Sequence, residues 1–155
     1  MTELGGLHRK MVNLDIFLID YEIVKANHKW WLDILEIFLK PGLKFKASFE
    51  KEQNNILQKV RDYGNDLIII IEKNLIYFEG IINTVMIRDF KASYKVKNSE
   101  DIDYYSPFIS FEIGENYCSA HYGRELYLTS LSEVKLGDVL KVLNPLRESF
   151  KIDIS

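Results

Sequence analysis

The apolar residues of this chain keep helical spacing at its start, alternate through its middle, and return to helical spacing near its end. Leu7, Met11, Leu14, Leu18 and Tyr21 recur at intervals of four and three with Phe17 beside them, which predicts a first helix, although the stretch LDIFLIDYEIV within it also fits a buried strand. The segment HKWWLDILEIFLKPG, from His28 to Gly42, is more one-sided. Apart from His28, its polar residues before Pro41-Gly42 are Lys29, Asp33, Glu36 and Lys40, which form a single stripe on a helix. Everything between them is apolar, Trp30, Trp31 and Phe38 included. Asn27 fits the N-cap, Lys40 sits where the helix dipole favours a cation, and Pro-Gly stops the helix. A third helix is predicted over Ser48–Gly64, with Ser48 as N-cap, Glu50 and Glu52 in the first turn, and Phe49, Ile56, Leu57, Val60 and Tyr63 as its inward stripe.

From Leu67 onward β-branched and aromatic residues take over. Leu67–Glu72 and Leu75–Glu79 read as a hairpin around Lys73-Asn74, and the run of isoleucines from Ile68 to Ile71 predicts a central strand covered on both faces. Further strands are expected at Ile81–Arg88, Ala92–Lys97, Phe108–Ile113, Tyr117–Tyr122 and Glu125–Thr129, with turns at Gly114-Glu115-Asn116 and Gly123-Arg124. Leu136, Val139, Leu140 and Leu143 restore helical spacing; Asn144-Pro145 ends or kinks that helix, and Phe150–Ile154 forms a short last strand. The order implies an α+β fold, with N-terminal helices packed on a mainly antiparallel sheet and a C-terminal helix. A chain of 155 residues fits a single domain over residues 1–155. The tryptophan-rich helix then lies between the sheet and the outer helices, buried all round except for its polar stripe. A tryptophan turned outward, or a helix used for self-association, is the alternative.

Composition narrows the class. Hydrophobic residues make up 47% and aromatics 13%, the opposite of a disordered chain. The lone Cys118 forbids an intrachain disulfide and fits a reducing cytoplasm. The start of the chain lacks a signal-like apolar run, because Asp15 and Asp20 interrupt it, and no stretch approaches a membrane span. A net charge of −3 argues against a nucleic-acid binder. That total conceals an uneven distribution. Lys40, Lys44, Lys46, Lys51, Lys59 and Arg61 stand against only Glu50 and Glu52, while Glu100, Asp101, Asp103, Glu112, Glu115 and Glu125 stand against only Arg124.

Motifs for chemistry are missing. Glycine-rich phosphate loops, a nucleophile elbow and zinc-type ligand spacing do not occur, and no cofactor or metal is implied. Cys118 and His121 lie close in sequence, but strand alternation sends them to opposite faces, so they make a poor nucleophile–base pair. Alternation across the later strands places Ile109, Phe111 and Ile113 with Cys118, Ala120, Leu126 and Leu128 on a core face. The other face then carries Phe108, Ser110, Glu112, Tyr117, Ser119, His121, Glu125, Tyr127 and Thr129, polar but strewn with aromatics. Beside it lies NSEDIDYYSP, an acidic loop with Tyr104 and Tyr105.

Carboxylates and tyrosines together suit a basic protein partner. The candidate contact residues are Glu100, Asp101, Asp103, Tyr104, Tyr105, Glu112, Tyr117, His121 and Tyr127. In its profile of small size, mild acidity and want of catalytic motifs, the chain resembles bacterial immunity proteins, which neutralise a toxin by occluding it. That resemblance implies a cytoplasmic, non-enzymatic antitoxin whose partner is a basic toxin such as a nuclease. No single motif carries it. Two other readings stay open: a small-ligand module with a pocket between sheet and helices, and an enzyme of dispersed residues in which His121 works with Glu112 or Glu125. Partner identity, strand order and oligomeric state are not legible at this level.

Overall fold

The computed structural model describes residues 11–19, 29–51, 62–93 and 108–155. They form one sheet of eight strands: β1 (Val12–Leu18), β2 (Lys44–Glu50), β3 (Asn65–Glu72), β4 (Leu75–Ile81), β5 (Ser110–Ile113), β6 (Tyr117–Ala120), β7 (Glu125–Leu131) and β8 (Phe150–Ile154). Their order across the sheet is β3-β4-β2-β5-β6-β7-β1-β8, and each neighbouring pair is antiparallel. Three α-helices are described, α1 (Lys29–Phe38), α2 (Thr84–Ser93) and α3 (Glu133–Leu143). The α+β class and the C-terminal helix are as the sequence implied. None of the described helices is long and apolar enough to cross a membrane.

All three helices contribute to one core on one face of the sheet. From α1 come Trp30, Trp31, Ile34, Leu35 and Phe38. Its ends reach different strands: Trp30 meets the ring of Phe150 on β8 at 4.7 Å, and Phe38 meets Tyr117 on β6 at 5.4 Å. The outward stripe behaves as a solvated helix surface. Lys29 pairs with Asp33 at 2.6 Å, and Glu36 reaches Lys91 of α2 at 3.4 Å. From α2 come Met86 and Phe90, the latter stacked on Phe111 of β5 at 5.3 Å. From α3 come Val139 and Leu143; Ser132 caps this helix by accepting from the Lys135 amide.

Several local expectations are overturned. Residues 12–18 form a strand, so the helical reading of Leu7–Tyr21 is wrong there. Leu14, Ile16 and Leu18 are buried at every second position, and Leu14 and Leu18 also satisfy a four-residue interval. The alternation of Asn13, Asp15 and Phe17 between them decides for the strand. Ser48, Phe49 and Glu50 end β2 and start no helix; residues 52–61, the body of the predicted third helix, lie outside the described residues. Tyr63 is buried, and Gly64 adopts φ +80° against the Phe45 ring, where an added Cβ would come within 2.6 Å of it.

The strand expected at Ile81–Arg88 gives way at Ile82. Asn83 accepts a hydrogen bond from the Met86 amide at 3.0 Å and so caps α2. Ala92 and Ser93 end that helix, and residues 94–97 of the next expected strand lie outside the described residues.

The largest difference concerns β3. Its hairpin with β4 is as expected, turning at Lys73-Asn74 with Lys73 at φ +55°. Yet β3 is an edge strand, and Ile68, Ile69, Ile70 and Ile71 are 52%, 38%, 54% and 58% exposed. A run of isoleucines predicts burial on both faces only if neighbours exist to supply it. The described helices leave this strand uncovered.

Phe111 is the centre of the aromatic packing. It is fully buried, with the rings of Phe45, Phe90, Phe108 and Tyr117 at 5.3–6.2 Å. Phe111→Ala is expected to destabilise the fold by about 3–5 kcal/mol in urea unfolding. Val134→Ala, at a position 75% exposed, should stay within about 0.5 kcal/mol.

Candidate functional site

The face of the sheet away from the helices is the candidate site. Strand register sets its residues side by side. Ile68 of β3 lies opposite Glu79 of β4, which lies opposite Lys46 of β2, which lies opposite Glu112 of β5. The row continues through Cys118, Tyr127, Asp15 and Asp153 on β6, β7, β1 and β8. One register line thus crosses all eight strands with four carboxylates and one lysine. Asp15 and Asp153 are like charges directly opposite, an arrangement that costs stability. Lys151 reaches Asp153 at 3.9 Å from the same strand.

Beside this row, Ser48 and Ser110 join hydroxyls at 2.7 Å. Tyr127 donates its hydroxyl to Glu125 at 2.7 Å and packs edge-on against Phe17 at 5.9 Å. The acceptance by Glu125, with some burial, pushes the Tyr127 phenol up to about 12. The phenol therefore stays neutral and polar through the physiological range.

Two adjoining grooves lie on this face, of about 860 Å³ and about 310 Å³. Lys46, Ile68, Glu79 and Glu112 line both. The space between sheet and helices, where a ligand pocket was a possible reading, is occupied by packed rings of Phe45, Phe78, Phe90, Phe108 and Phe111.

The sequence-derived contact residues separate under this geometry. Glu112 and Tyr127 share the outer face. His121 is near them, at the start of a 3-10 turn that ends β6; its side chain is 70% exposed and its Nε2 lies 3.7 Å from Glu125 Oε2. That separation exceeds a hydrogen bond. Glu100, Asp101, Asp103, Tyr104 and Tyr105 lie outside the described residues.

Tyr117 is placed differently from the expectation: it is 3% exposed and faces the core. The cause is the β5–β6 turn. Ile113 pairs directly with Tyr117, so Gly114-Glu115-Asn116 is a three-residue loop, and directly opposed residues share a face. Ser119 follows Tyr117 inward and Cys118 turns outward, the reverse of the expectation, which matched the apolar Cys118 and Ala120 to the core face of Phe111 and Ile113. Phe108, expected outside, is fully buried as well. Burial holds the Tyr117 phenol above its ordinary range.

Asp15, Glu79, Asp153 and Tyr77 belong to this face and were missed. Asp15 carried a signal in the alternation of β1; the others depend on strand order. Among the described residues no group of three His, Cys, Asp or Glu side chains is placed to hold a metal ion. No family model, no curated protein and no solved structure matches the chain.

The reversed phase has a direct test in the Cys118 thiol. Partial burial, and secondly the Glu112 carboxylate beside it, push its pKa up. A raised pKa leaves less thiolate, the reactive form, at a given pH. Glu112→Gln is expected to speed iodoacetamide alkylation of Cys118 several-fold at pH 8. An unchanged rate would mean that Glu112 and Cys118 do not share a face.

Proposed function

We propose that the protein is a non-enzymatic binding protein that covers a basic protein partner with the outer face of its sheet, in the manner of an immunity protein occluding a toxin. The observation that carries this reading is the cross-strand row of Glu79, Glu112, Asp15 and Asp153 around a single Lys46. A solvated face with no further role gains nothing from setting Asp15 opposite Asp153. A partner's lysines or arginines relieve that repulsion on binding and gain from the surrounding field.

Tyr77 and Tyr127 supply amphipathic contact area at low entropic cost. Tyr77 stands opposite Ser48 on the same face, exposed, and Tyr127 is held by Glu125. The acidic row would steer the encounter and the tyrosines would hold the complex. The lone Cys118 suits a reducing cytoplasm as the place of action.

The partner is obtained by affinity capture on the tagged protein, and its association with purified variants is then measured. Combined Asp15→Lys and Glu112→Lys is expected to slow association by roughly tenfold or more at low salt. The thermal midpoint should change little, because Asp15→Lys removes the Asp15–Asp153 repulsion while Glu112→Lys sets a lysine opposite Lys46. An unchanged association rate contradicts the assignment of this face.

A further inference from the structure

β3 and β8 end the strand order, so each has one edge with no neighbour among the described residues. The β3 edge is unusual in content. Edge strands are ordinarily blunted by charge, proline, bulges or brevity, because their free N–H and C=O groups recruit further strands. β3 has a register shift between Asn65 and Ile68, with Asp66 at φ +54°, but from Ile68 to Glu72 it runs regularly beside β4. Its four isoleucines all stand exposed along that regular stretch.

Charge frames the apolar run. Asp66 and Ile68 line the larger groove, and Ile70 and Glu72 the smaller one. The outer side of β3 therefore carries Ile68, Ile70 and Glu72 at alternate positions, and Asp66, set in the irregularity before them, lines the same groove as Ile68, so the apolar pair has a carboxylate at each end.

Resting on the protein-binding reading, we infer that β3 accepts an added strand from the basic partner: an extended segment with two apolar residues at alternate positions, flanked on the same side by lysine or arginine. Strand addition draws affinity from main-chain hydrogen bonds and specificity from alternate side chains. The apolar pair would lie against Ile68 and Ile70, and the flanking cations against Asp66 and Glu72. A second copy of the chain fits this edge less well. Antiparallel pairing that aligns Ile68 of one copy with Ile70 of the other brings Glu72 of each copy toward the Asp66 carboxylate of the other. Sliding the register by one step on the same face sets a carboxylate against an isoleucine instead. Like charges brought close oppose pairing.

The probe is a synthetic peptide that alternates threonine with lysine, valine, valine and lysine in turn; its counterpart carries glutamate for lysine. Titration into the full chain is followed by amide shifts and amide exchange. The lysine peptide is expected to bind more tightly and to protect alternate amides within Ile68–Ile71, those that point away from β4. Combined Asp66→Lys and Glu72→Lys should weaken it by roughly tenfold and reverse the preference toward the glutamate peptide, which a merely damaged fold would not do.

Equal binding of both peptides, no protection on β3, or a concentration-dependent dimer abolished by Ile70→Lys would each overturn the inference. These failures are separable from failure of the broader reading. If the captured partner still loses affinity with Asp15→Lys and Glu112→Lys but is indifferent to the β3 substitutions, the face is right and the added strand is wrong.

Discussion

The structure depends on one-sided burial of a single antiparallel sheet. Three described helices press Trp31, Ile34, Met86, Phe90, Val139 and Leu143 onto the same face, where Leu14, Ile16, Phe45, Phe78, Phe111 and Leu128 meet them. Such contact removes apolar area from water at about 25 cal/mol per Å². Because β-strand side chains alternate, filling one face with apolar residues hands the other face mainly to polar ones, with the isoleucines of the edge strand β3 as the exception. The acidic row is thus a geometric consequence of where the core lies, but its composition is not. Serine or threonine would serve solubility at Asp15 and Asp153 without the repulsion those carboxylates create.

Register converts this constraint into a site. Asp15 and Glu112 are far apart in sequence, and they share a line only because β1 lies beside β7, β7 beside β6, and β6 beside β5. Two irregularities tune that line. The loop at Gly114-Glu115-Asn116 fixes the phase of β6. A shift between Val12 and Leu14 in the β1–β7 pairing is held by the Asn13 carboxamide, whose oxygen accepts from the Ser130 amide at 2.9 Å. Asn116 donates to the Thr129 carbonyl at 2.9 Å and ties the turn to the same irregularity. The polar side chains at these points hold backbone groups that the ladder leaves free.

Much of this was legible from the chain alone, and its failures have specific causes. The buried stripe of α1, the β3–β4 hairpin, the final strand and the Ser132–Leu143 helix region follow from periodicity and end signals. β1 was misread because Leu14 and Leu18 satisfy both periods. α2 was misread because Ile81 and Ile82 look like strand, while Asn83, an N-cap residue type, was passed over. Tyr117 was misplaced because alternation carries no phase through a turn of unknown pairing. The exposed isoleucines of β3 were hidden because residue type reports what a strand prefers to touch, and strand order decides whether anything is there. Of the outer face, Glu112 and Tyr127 were found from local pattern; Glu79 and Asp153 required knowledge of which strands adjoin.

The central claim is that this protein meets its partner with the outer face of the sheet and turns its helices away from it. Hydroxyl-radical footprinting of the free protein and of its complex with the captured partner reads side chains on both sides at once. The account predicts that oxidation of Tyr77, Tyr127 and Phe17 falls on complex formation while that of Val134 and Leu136 on α3 is unchanged. Protection confined to the helix side, with Tyr77 and Tyr127 oxidised as readily as in the free protein, would contradict it.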